Sequence, residues 1–98
     1  MNKRMEFETL NQLIDIEGVS GNEGPVREYI EKRMKPYCDV MSVDKLGDLI
    51  CHQKGKKPSI MLAAHMDEIG LMVKRIEKSG RIFVSALGGV NSINVIGQ

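Results

Sequence analysis

Residues 59–73 read SIMLAAHMDEIGLMV, the most apolar run in the chain, and its middle carries His65, Asp67 and Glu68. The first seven residues, SIMLAAH, are apolar without alternation. That pattern predicts a strand covered on both faces, in the interior of a parallel or mixed sheet. Three residues able to ligate metal or carry protons follow where core has been building. Downstream, IGLMVKRIE and RIFVSAL flank Lys78-Ser79-Gly80, which predicts two strands joined by a tight turn.

Upstream the period lengthens. Phe7, Leu10, Leu13 and Ile14 stripe one face of a helix, with Gly18 placed as its terminating glycine. Val26, Tyr29, Ile30 and Met34 stripe a second helix that Pro36 stops. Ser20 with Glu23 suits a capping box, and Asn22 as N-cap would put Pro25 at a better early position. After Pro36 the pattern turns towards period 2 in CDVMSVD, with a turn at Gly47-Asp48 and a short strand over 49–52. Val95 and Ile96 look like the opening of another strand. The expected fold is α/β, with the N-terminal helices packed on a mixed β-sheet. The missing partners for Val95 and Ile96 suggest the N-terminal piece of something larger, beside the plainer reading of a compact α+β domain.

The totals exclude several classes. With 14 basic and 13 acidic residues among 98, the net charge is +1 and offers no footprint for nucleic acid. No apolar run reaches the 18–20 residues or so that span a bilayer, so no membrane partner is expected. The basic start MNKRMEFETL has no apolar region behind it, which argues against a signal peptide. Cys38 and Cys51 have no CxxC spacing and read as reduced thiols of a cytoplasmic protein; a disulfide between them requires their segments to pair. A closed domain of this size buries roughly 65% of the surface its unfolded chain exposes.

In an extended segment, side chains two apart share a face, so His65 and Asp67 can lie together. A metal-binding histidine needs its second ring nitrogen held, commonly by a carboxylate, and the end of a strand is where open α/β sheets build such sites. The pattern alone equally suits a histidine hydrogen-bonded to a turn aspartate. His52 reads as a partly exposed strand residue. Glu6, Glu8, Glu17, Glu28, Glu31 and Glu77 read as solvated charges on helix faces and turns.

The segments EGVSGNEGPVREYI, DKLGDLI, PSIMLAAHMDEIGLMVKRIEKSGRI and LGGVNSINVIGQ resemble the N-terminal part of the glutamyl aminopeptidase family. These dinuclear-metal cytosolic aminopeptidases include tetrahedral, self-compartmentalising enzymes and proteins once described as endoglucanases. The resemblance runs from about Leu10 to Gln98 and is most specific at AAHMDEIGLMV. It implies a metal-ligand role for His65 and an orienting role in catalysis for Asp67; Glu68 would make a structural salt bridge or hydrogen bond. Gly47-Asp48 stands where relatives commonly have Gly-Asn. By the same resemblance, residues 1–88 belong to the catalytic domain and 89–98 begin the crossing into an inserted β-rich dimerisation domain. The full-length activity would be removal of N-terminal residues from peptides, through water activated by two divalent ions (zinc or cobalt) in a homo-oligomer. The remaining ligands and the general base would lie beyond these 98 residues, leaving the isolated chain inactive. A non-enzymatic binding or assembly domain, or a co-catalytic carboxypeptidase or deacylase, are the competing functions.

Overall fold

The computed structural model describes residues 3–97. Helix α1 spans Lys3–Ile14 and α2 spans Gly24–Met34, followed by a 3-10 turn over Lys35–Tyr37. Strands β1 (Val40–Val43) and β2 (Leu49–His52) form one antiparallel pair; β3 (Gly70–Ile76) and β4 (Ile82–Leu87) form another.

Local chemistry accounts for most of these boundaries. Pro25 enters α2 in its first turn, where its missing N–H costs nothing. The cap position is Glu23, not Asn22 or Ser20, and the Glu23 carboxylate instead accepts from the Gly21 N–H at 2.7 Å. The first helix ends at Ile14, four residues before Gly18. Gly18 is small for a different reason. A Cβ there would come within 3.3 Å of Val26 Cγ1.

The β1–β2 turn is organised by Asp44, whose carboxylate accepts from the Leu46 and Asp48 N–H groups at 2.8 and 2.9 Å. Gly47 supplies the positive φ of 94° that the turn needs. The β3–β4 loop closes with Gly80 N–H on Glu77 O and Glu77 N–H on Arg81 O, both at 2.9 Å. Gly80, at φ 86°, is the left-handed residue that ends a three-residue hairpin loop. Between Val73 and Arg75 the register slips by one, a bulge at Lys74. Arg75 lies opposite Phe83 and covers its ring at 4.1 Å.

The helix-and-strand class is as expected, but the single mixed sheet is replaced by two separate two-stranded ribbons. The expected interior strand over 59–65 does not form. Ile60, Met61 and Leu62 are 85–94% exposed, and the segment forms neither strand nor bridge. A strand covered on both faces needs a neighbour on each side. Strands β1–β2 and β3–β4 each pair only within their own ribbon, and among the described residues no strand lies beside 59–65. Parallel pairing survives at one point, the bridge between Val19 and Glu68. The expected strand opening at Val95-Ile96 is instead a 3-10 turn over Ser92–Val95, capped by the Asn91 carboxamide accepting from Ile93 N–H at 3.1 Å.

The apolar stripes consequently find little to cover them. Val26, 6% exposed, is the buried hydrophobic residue among those described, while Phe7, Leu10 and Ile14 face water. The two helices hold each other through polar contacts, Tyr29 to Gln12 at 2.7 Å and Arg33 to Thr9 at 3.1 Å. Total exposed surface is 9076 Å², against roughly 5,600 Å² for a closed domain of 11.0 kDa. The radius of gyration is 17.9 Å, against about 13 Å for a compact chain of this length.

Candidate functional site

The unpaired segment ends where it is tied down. Glu68 N–H donates to Gly18 O at 2.8 Å, and the Glu68 carboxylate accepts from Gly18 N–H at 3.3 Å. This is the hydrogen bond expected of Glu68, and it fixes the α1–α2 connection beside the His65–Asp67 stretch. Gly70 completes the joint. A Cβ at that position would collide with Val19 Cγ1. On the other side, Arg27 Nη1 of α2 donates to Gly47 O at 3.2 Å and holds the β1–β2 turn near the same place.

The result is a cleft of about 150 Å³ whose walls include Glu23, Gly47, Asp48 and the His65–Asp67 stretch. It is smaller than a pocket for a whole ligand and has room for one small group, a few waters or an ion. His65 and Asp67 meet there. His65 Nδ1 lies 3.1 Å from Asp67 Oδ1 and 2.9 Å from Asp67 O. Both partners are oxygens that can only accept, so the hydrogen of the neutral ring sits on Nδ1 and the Nε2 lone pair is left over. That is the tautomer a metal-binding imidazole requires. The His65 side chain is 85% exposed and that of Asp67 42%, so Nε2 is open to a ligand.

The donor set is otherwise incomplete. No group of three or more His, Cys, Asp or Glu side chains converges among the described residues. His52 stands on β2, apart from this cleft. Gly18, Arg27 and Gly70 position the site, and sequence reasoning gave them no such role. Gly18 and Gly70 could be suspected only from close backbone approach, a long-range property. Arg27 had a weak local signal, a cation on the first turn of a helix whose N-terminus disfavours positive charge.

Residues 47–98 match the sequence profile of the M42 glutamyl aminopeptidase family. A putative aminopeptidase of Acetivibrio thermocellus is 49% identical over 92 residues, covering 94% of this chain and 28% of the relative. The lysyl aminopeptidase of Pyrococcus furiosus is 41% identical over 95 residues, covering 96% of this chain and 28% of its own length. Among solved structures, the TET aminopeptidase of a marine-sediment Thaumarchaeota archaeon superposes with a TM-score of 0.86 at 34% identity, covering all of this chain and 28% of that one. The chain therefore spans little more than a quarter of the proteins it resembles.

Proposed function

Because this chain belongs to the M42 glutamyl aminopeptidase family, we propose that it forms the N-terminal part of a metal-dependent aminopeptidase catalytic domain and carries one ligand of its metal centre. The supporting observation is the His65–Asp67 pair, with Nδ1 held by carboxylate and carbonyl and Nε2 unengaged. His65 holds a divalent ion, zinc or cobalt, through Nε2. Asp67 fixes the ring's tautomer and direction, and its charge raises the basicity of Nε2. Bound divalent ions, two in the whole enzyme, supply Lewis acidity and a water that ionises near neutral pH. What this chain contributes is placement: Glu68 and Gly18 clamp the segment, and Gly70 lets it approach Val19. The bridging ligand and the general base come from outside these 98 residues. Residues 1–88 are the catalytic-domain portion, and 89–98 begin the crossing to the inserted dimerisation domain. The substrates are peptides with free N-termini, and the whole protein is a cytoplasmic homo-oligomer. No helix among the described residues is long and apolar enough to cross a membrane.

The test uses a protein of the relatives' full length carrying this sequence. His65→Ala should lose one metal per subunit by elemental analysis, and nearly all hydrolysis of aminoacyl anilides. Asp67→Asn keeps an oxygen acceptor but not the charge, and should lose about 10–100-fold in metal affinity or activity. Excess metal should recover part of that loss. Full activity with two metals in either variant would return both residues to a structural role. The isolated 98-residue chain, with one ligand, should hydrolyse no peptide; sub-micromolar stoichiometric metal binding by its monomer would overturn that expectation.

A further inference from the structure

Cys38 and Cys51 lie outside the metal-site argument, and the hairpin geometry brings them together. Cys51 sits on β2 opposite Met41 of β1. At the open end of this ribbon Val40 pairs with His52, and the Asp39 N–H also donates to His52 O at 2.9 Å. Two residues of one strand thus oppose one of the other, the count of a β-bulge. In a regular strand Cys38 would lie on the face opposite Met41 and Cys51. The extra residue reverses that alternation and returns Cys38 to the face of Cys51. Both thiols are free and half-buried, and on this shared face Cys38 is near enough to act on the Cys51 thiol. Asp39 reinforces the geometry by accepting from Lys54 N–H at 2.6 Å.

We propose that Cys38 and Cys51 are a reversible redox site, a dithiol that a small-molecule disulfide such as oxidised glutathione closes to an intrachain disulfide. The Cys38 thiolate attacks one sulfur of the oxidant and expels a glutathione thiolate. Cys51 then loses its proton and attacks the Cys38 sulfur of the mixed disulfide, expelling the second. Two protons and two electrons leave the protein, and the oxidant is reduced to two thiols. Burial, with Cys38 and Glu31 nearby, pushes the Cys51 thiol up and lowers its thiolate fraction, which leaves the first attack to Cys38 and confines Cys51 to the intramolecular second step. Closure ties the end of the α2 region to β2, in the hairpin whose turn bounds the His65 cleft.

The experiment treats the purified chain with oxidised glutathione and follows free thiols and intact mass. Expected are the loss of both thiols, a product lighter by two hydrogens, and a proteolytic peptide linking Cys38 to Cys51. Cys38→Ser and Cys51→Ser should each stop at a glutathione adduct on the remaining thiol. Ring closure from the mixed disulfide should slow at least about tenfold in urea, because folding holds the sulfurs together. Wild-type protein that accumulates glutathione adducts or interchain dimers would overturn the proposal. So would a closure rate that urea leaves unchanged.

Discussion

The β3–β4 ribbon and the segment over residues 59–65 are close in sequence and similarly apolar, yet one is paired and the other is not. In the ribbon every strand residue except the bulged Lys74 finds its partner within 17 positions of itself, across a loop whose glycine already favours the turn. Residues 59–65 have equal or greater hydrophobicity and no partner at any distance among those described. Apolar character decides that a strand will be buried; it does not supply the neighbours that bury it. The difference lies in where the hydrogen-bonding partners come from, nearby sequence for the ribbon and elsewhere for the segment.

That contrast can be broken most forcefully at Leu62. In the 98-residue chain Leu62→Asp should leave the denaturation midpoint within the roughly 0.5 kcal/mol typical of surface changes, since the side chain faces water. In a protein of the relatives' full length, where we expect the segment to become an interior strand, the same change should cost about 3–5 kcal/mol as an unpaired buried charge. Equal effects in the two contexts would mean the segment stays unpaired in both. A smaller loss is expected at the joint between the two regions. Gly70→Ala forces a contact with Val19 and should cost about 1–3 kcal/mol by chemical denaturation, in the range of overpacked sites. Val19→Ala in the same chain should recover most of it, and failure to do so would place the cost elsewhere.

Locally closed structure should respond alike in both contexts. Asp44→Ala removes the acceptor for two turn N–H groups and should cost about 1 kcal/mol in the short chain and the long one. A markedly larger loss in the longer protein would show that the β1–β2 turn also serves distant partners. The smallest effect concerns pH. Cys51 ionises at higher pH in the folded chain than in the unfolded one, chiefly through burial. Above the ordinary thiol range the unfolded chain therefore holds fewer protons, and stability should fall as pH rises there. Below that range the thiol is protonated in both states and contributes no slope. The alkaline decline should shrink in Cys51→Ser, measured as the denaturation midpoint against pH.

What could be read in the sequence follows the same division. The α2 helix between Pro25 and Pro36, β2 over Leu49–His52, and the Lys78–Gly80 turn are legible because proline, glycine and periodicity act over a few residues. The His65–Asp67 pairing was also within reach, since neighbours two apart need only a local bend to meet. The end of α1 was misplaced because Gly18 is conformationally unremarkable; its smallness answers to Val26, eight residues on. The covered strand over 59–65 was inferred from composition, which cannot say whether the covering layers are at hand. The Glu68–Gly18 clamp spans 50 positions and leaves no local trace.

The unpaired apolar stretch also sets a timetable. Hairpins of the β3–β4 kind close in about 1–10 μs. The partners of residues 59–65 would arrive only with later synthesis in a protein of the relatives' length, on the order of tens of seconds at about 5–20 residues per second. For that interval the ribbons are already formed while Ile60, Met61 and Leu62 stand open to solvent. Sequences combining strand propensity, apolar side chains and no charge pair readily with copies of themselves. Residues 54–58, Lys-Gly-Lys-Lys-Pro, precede this stretch with three positive charges and a proline. Repulsion between like-charged flanks, together with the proline's missing N–H, opposes the growth of an ordered stack from that side. In a nascent chain still lacking those partners, the basic stretch over 54–58 would oppose self-association of its apolar neighbour.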